Sequence, residues 1–66
     1  MTKISIVQQG KIYELLVTES YESLAGLLTR TPGWYAEVTD AGTGNRVLIN
    51  RKAITMIEDV KEPLQK

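Results

Sequence analysis

The sequence predicts an α+β, mainly β fold: a five-stranded small antiparallel barrel or curled sheet in the order ββαβββ, with one helix inserted after strand 2. Three observations carry this. Apolar and polar residues alternate with period two over residues 3–8 and again over 34–39, the pattern of strands with one buried face. Between them the period changes: Tyr21, Leu24, Leu27 and Leu28 recur at helical spacing. Glycine-bearing turn signals punctuate the strand-like stretches, as hairpins require. Residues 1–60 are expected to form the single domain, and residues 61–66 a flexible C-terminal tail.

In the first strand Ile4 and Ile6 point one way, and Lys3, Ser5 and Val7 the other. Gln9-Gly10 reads as a turn, and residues 12–17 as a second strand, rich in β-formers and apolar on both faces. Thr18-Glu19-Ser20 offers helix N-caps. Glu19 and Glu22 lie near the first turn, where the helix dipole favours negative charge. Tyr21 is expected in the helix core with the leucines. Gly26 weakens the helix by about 1 kcal/mol relative to Ala, and its missing side chain would let backbone approach closely. Thr31-Pro32-Gly33 stops the helix. In the third strand Trp34, Ala36 and Val38 share one face, and Tyr35, Glu37 and Thr39 the other. Asp40 to Asn45 is a turn with two glycines. Residues 46–49 form a fourth strand, 50–53 a short polar turn, and 54–57 a fifth strand reaching toward Val60.

Composition excludes whole classes of chemistry. The 66-residue chain has no cysteine and no histidine, so disulfide scaffolds, thiolate metal sites and histidine catalysis are absent. No apolar run approaches the ~20 residues that a bilayer-spanning helix needs. Met1-Thr2-Lys3 leads into an alternating pattern instead of an apolar leader, so a cytoplasmic location is expected. Eight basic and eight acidic side chains cancel, which removes long-range attraction to nucleic acid or membrane. Their distribution is uneven: Glu14, Glu19 and Glu22 precede Arg30, Arg46, Arg51 and Lys52. A chain this short buries only about 60% of its unfolded surface, so self-association into a homo-oligomer would supply further burial.

The C-terminal half resembles two small-barrel families. Trp34-Tyr35-Ala36, followed by Thr43-Gly44-Asn45-Arg46-Val47-Leu48-Ile49-Asn50-Arg51-Lys52-Ala53-Ile54, resembles the second half of a Src-homology-three barrel. That family runs from a tryptophan-opened strand through a glycine turn, a strand and a short helical turn to a last strand. The resemblance places Trp34 at the family's ligand-facing tryptophan. Asn50-Arg51-Lys52-Ala53-Ile54-Thr55-Met56-Ile57 is similar to the second signature of Sm-like proteins. That resemblance implies RNA contact by Arg51 and Lys52.

Catalysis finds little material. Glu58 and Asp59 are the one adjacent acid pair, and on a strand they point to opposite faces, away from shared acid–base work. The Gly-x-Gly of residues 42–44 lacks a phosphate-loop lysine and precedes a strand, so it reads as a hairpin turn. Trp34 and Tyr35, adjacent on a strand, should place one ring in the core and one at the surface, where it can anchor a partner or stack a base. In a barrel Arg46, Arg51 and Lys52 would converge at one end as a small basic patch. The expectation is a non-enzymatic binding module with no cofactor and no metal. It acts through protein–protein contacts at Trp34, Tyr35, Arg46, Arg51 and Lys52 and associates with itself; its size suggests an accessory product of a phage or mobile element. The alternative is an Sm-like binder of RNA or single-stranded nucleic acid.

Overall fold

The computed structural model describes residues 1–30 and 32–61. Its elements are β1 (Thr2–Gln8), β2 (Lys11–Val17), α1 (Tyr21–Arg30), β3 (Tyr35–Thr39), β4 (Arg46–Asn50), a 3₁₀ turn (Arg51–Ala53) and β5 (Ile54–Asp59). The order ββαβββ is the expected one. The expected tail from residue 62 onward and Thr31 of the expected helix stop lie outside the described residues.

The strands form two antiparallel sheets, β2-β1-β5 and β3-β4. No closed barrel is present among the described residues. Among the described residues the sheets meet at one bridge, Val17 to Asp40, flanked by hydrogen bonds from Thr18 N to Thr39 O at 3.0 Å and Ala41 N to Leu16 O at 2.8 Å. The 3₁₀ turn carries the chain from one sheet to the other. Consecutive strands β4 and β5 therefore share no ladder, and the sheet stays open there.

Local chemistry accounts for each element. Gln9 and Gly10 both take positive φ, +53° and +77°, the type I′ geometry whose twist matches the β1–β2 hairpin. Ser20 caps α1: its hydroxyl accepts from Ser23 N at 3.1 Å, satisfying one orphan amide of the first turn. In β5, register slips between Ser5 and Ile6. Thr55 is the extra residue of this bulge, and its hydroxyl donates to the Ser5 carbonyl at 3.2 Å.

The core is small: Ile4, Val17, Leu24, Ala36, Val38 and Ile49 are buried, with Leu27, Leu28, Ile54 and Ile57 among the half-buried residues packed around them. Leu24, 1% exposed, is where the helix enters this core. Tyr21, expected with the leucines, is instead exposed at the first helical position. Thr2 is fully buried, and its hydroxyl donates to the Glu19 carbonyl at 2.8 Å, so its polarity is satisfied. The atoms nearest to the place of a Cβ at Gly26 are those of the Arg30 guanidinium.

Candidate binding surface

The β3–β4 hairpin sorts its side chains by the pleat. Ala36, Val38 and Ile49 face the core. Tyr35, Glu37 and Thr39 face outward, with Arg46, Leu48 and Asn50 beside them. The Cα pairs Tyr35–Asn50 and Glu37–Leu48 make Tyr35 and Leu48 diagonal neighbours on one face, within reach of each other's side chains. Leu48 is 65% exposed and Tyr35 59%.

Trp34 departs from the expected alternation, which put it inward with Ala36 and Val38. The regular strand begins at Tyr35, and Gly33 just before it turns the chain with φ +142°. Trp34 therefore lies ahead of the pleat, 63% exposed. Both rings are at the surface, not one in the core and one outside. The Trp34 carbonyl accepts from Arg51 N at 2.8 Å, and the Lys52 ammonium sits 3.9 Å from the Trp34 ring centroid. Such a cation–π contact contributes about 0.5–1 kcal/mol at an exposed site. Asn50 organises the approach: its Oδ1 accepts from Lys52 N at 2.9 Å, capping the 3₁₀ turn that carries Lys52. Trp34, Tyr35, Asn50 and Lys52 thus cluster at one end of the hairpin.

The two arginines do not join them as a phosphate-binding trio. Arg51 is half-buried, and its Nη2 donates to the carbonyl of Leu28. That carbonyl lies in the last turn of α1, where a cation complements the helix dipole, so Arg51 ties the helix end to the 3₁₀ turn. Arg46 begins β4, about 13 Å along the strand from Asn50 at ~3.3 Å per residue. Its Nε pairs with Glu37 Oε2 at 2.9 Å. The expected convergence of Arg46, Arg51 and Lys52 therefore gives way to an ion pair at one end, an internal tether, and one cation stacked on an aromatic ring.

Glu19, read from sequence as a first-turn acid, does other work. Ser20 takes the cap, and the Glu19 side chain turns to β3, accepting from Thr39 N at 2.9 Å and Thr39 Oγ1 at 3.0 Å. Partial burial pushes its pKa up. The hydrogen bonds from the backbone and the Thr39 hydroxyl, with the positive charge of Arg46, outweigh that and hold it below the ordinary carboxylate value.

The Gly-x-Gly loop is closed on itself: Gly42 N donates to Asp40 Oδ1 and Gly44 N to Asp40 O, each at 2.8 Å, and Asn45 N to Thr43 Oγ1 at 3.1 Å. These amides are spent within the turn and are not aimed at an anion.

Sequence reasoning missed Leu48. Within the run Val47-Leu48-Ile49 no alternation marks the outward residue; the register against Ala36 and Val38 does. Next to Leu48 a groove of about 420 Å³ opens, walled by residues 6–9 and 48–50 with Ala53 at its corner. Comparison with protein-family models, curated proteins and solved structures finds no match to this chain.

Proposed function

We propose that this chain is a non-enzymatic binding module that acts through protein–protein contacts and associates with itself. Its fold is a small-barrel variant of Src-homology-three-like or Sm-like type, left open between β4 and β5. One observation carries the reading: Trp34, Tyr35 and Leu48 stand 63%, 59% and 65% exposed on one hairpin. Exposed Trp and Tyr side chains are the commonest anchors of protein interfaces; Leu48 adds apolar area beside them, and Lys52 and Asn50 supply polar groups at the edge. The small apolar core, six buried residues among those described, adds a motive for self-association, since a chain this small gains from burying more apolar surface.

The nucleic-acid alternative draws on Lys52 and Trp34. It is the weaker reading because Arg46 is ion-paired with Glu37 and Arg51 is directed to the Leu28 carbonyl. A phosphate track needs several cations facing one way.

Light scattering after size exclusion, over a dilution series, tests the proposal. The wild type should show a concentration-dependent mass, and Tyr35→Ser with Leu48→Ser should abolish it while leaving the circular dichroism spectrum unchanged. Anisotropy with a short labelled single-stranded RNA across a salt series tests the alternative. Tight, salt-steep RNA binding together with a monomer at every concentration would overturn the protein-contact reading.

A further inference from the structure

We propose that the β3–β4 hairpin opens and loses its ladder as one unit while the β2-β1-β5 sheet and α1 stay folded, and that the Glu19 carboxylate is the latch that holds it shut. Such an opening is a property of the fold and does not depend on what the hairpin binds.

The hairpin has its own ladder. β3 and β4 pair with each other from Tyr35–Asn50 to Thr39–Arg46, in a sheet apart from β2-β1-β5. Its ties to β2 and to the loop before α1 gather at one end. There Val17 bridges Asp40, Thr18 N donates to Thr39 O and Ala41 N to Leu16 O. The Glu19 carboxylate accepts from Thr39 N and Oγ1 at the same place. Along its middle the hairpin is held by the apolar packing of Ala36, Val38 and Ile49, which is non-directional. Lifting the hairpin thus breaks one small junction and one patch of core, and no ladder of the other sheet.

Which part gives way follows from what each could do alone. A two-stranded ribbon is at best marginal in water, whereas three strands packed on a helix can persist. The remainder meets that condition. β1 is paired on both sides, with β2 and with β5. Ile4, Val17 and Leu24 stay together, with Leu15, Leu27, Leu28 and Ile57 beside them. Both ends of α1 keep ties that do not involve the hairpin. The Thr2 hydroxyl donates to the Glu19 carbonyl at the helix entry, and the Arg51 guanidinium donates to the Leu28 carbonyl in the last turn. The Arg51 tie also holds the 3₁₀ turn beside the end of α1. The chain between them becomes a loop whose ends are already in place, and it regains backbone freedom on opening.

Glu19 sits on the boundary. Its carbonyl belongs to the part that stays and its carboxylate to the part that leaves. Ser20 caps the helix, so releasing Thr39 leaves the helix start unchanged. Hydrogen bonds to a charged acceptor are the strong ones, and here two of them converge on the junction. Opening bares Ala36, Val38 and Ile49 and the Ile4 and Leu24 side chains clustered with them, an apolar surface that the closed form hides.

Native-state hydrogen exchange of the full chain, read amide by amide by NMR over a low-urea series, tests this. The bonds Arg51 N to Trp34 O and Asp40 N to Asn45 O set the phase of the ladder, so the amides of Ala36, Val38, Val47 and Ile49 are bonded inside the hairpin. After correction for intrinsic rates they should share one opening and exchange at least about tenfold faster than Lys3, Ile4 and Ser5 of the central strand. Their urea dependence should be shallower, because opening exposes less surface than global unfolding. Glu19→Gln should speed the hairpin amides about fivefold. Gly26→Ala strengthens a helix that the open form keeps. It should slow the β1 amides about two- to fivefold and leave the hairpin amides unchanged. A common rate and a common urea slope for both groups in the wild type would overturn the proposal, since the whole fold then opens at once. Hairpin amides indifferent to Glu19→Gln would overturn the latch. Equal slowing of both groups by Gly26→Ala would also overturn the proposal, because the helix then opens with the hairpin.

Discussion

Glu19 is the residue whose removal should reveal most about how this fold is held. Its carboxylate spans from the loop before α1 to Thr39 at the end of β3, accepting two hydrogen bonds of 2.9 and 3.0 Å. Its own carbonyl accepts from buried Thr2. One residue thus joins the start of β1, the entry to the helix and the β3–β4 sheet, close to the Val17–Asp40 bridge between the sheets. Hydrogen bonds to a charged acceptor contribute about 1.5–3 kcal/mol each. Two that share one carboxylate, partly screened by water, suggest a loss of about 2–3 kcal/mol for Glu19→Ala. Glu19→Gln keeps one acceptor oxygen and should lose about 1 kcal/mol. At ~4–8 °C per kcal/mol for a domain of this size, the alanine variant should melt roughly 10 °C or more below wild type. Far-UV circular dichroism is the suitable probe, because Trp34 is already largely exposed and reports unfolding poorly. The pH dependence supplies a second signature. The folded-state pKa of Glu19 lies below the unfolded value. Its contribution is therefore complete above about pH 4.3, the unfolded-state value, and disappears as pH falls through the folded-state pKa. Wild type should lose more stability than Glu19→Gln on acidification. Equal urea midpoints for the two proteins at neutral pH, with parallel acid limbs, would refute this account of the inter-sheet contact.

Three further outcomes follow from the same geometry. Arg51→Met keeps the aliphatic stem but leaves the Leu28 carbonyl without the guanidinium, and should lower stability by about 1–2 kcal/mol in urea unfolding. Unchanged stability would return Arg51 to the pool of surface cations. Gly26→Ala should raise the melting temperature, because a Cβ there meets the Arg30 guanidinium at 2.8 Å. That is the end of a flexible exposed side chain that can swing aside, and Ala gains about 0.5–1 kcal/mol over Gly within a helix. Leu24→Ala removes the one fully buried side chain of α1. At about 2–5 kcal/mol for a buried leucine, against a total stability of roughly 5–15 kcal/mol, amide exchange should show a substantially opened native state.

How far the site could be read in advance differs by residue. Tyr35, which shares its face with Glu37 and Thr39 in a clean alternation with Ala36 and Val38, was legible as an outward aromatic. Trp34 was not, because period two holds only within the pleat and Gly33 turns the chain just before the strand. Lys52 was legible as a basic turn residue, but its seat on Trp34 depends on the Asn50 cap. Arg51 and Arg46 have the same charge and similar settings in sequence. One is tied to a helix carbonyl and the other to a cross-strand acid, and those partners lie 23 and 9 positions away in the chain.

The sequence by itself determined the local elements: the five strands, the helix and the turns between them, because side-chain periodicity, capping hydroxyls and glycine φ preferences act within a few residues. Tertiary structure decided which strands share a ladder, where the sheet stays open and which polar groups are consumed internally. Those outcomes depend on register and on contacts between distant segments, where one carboxylate or one three-residue turn redirects an entire strand, and no local pattern records that choice.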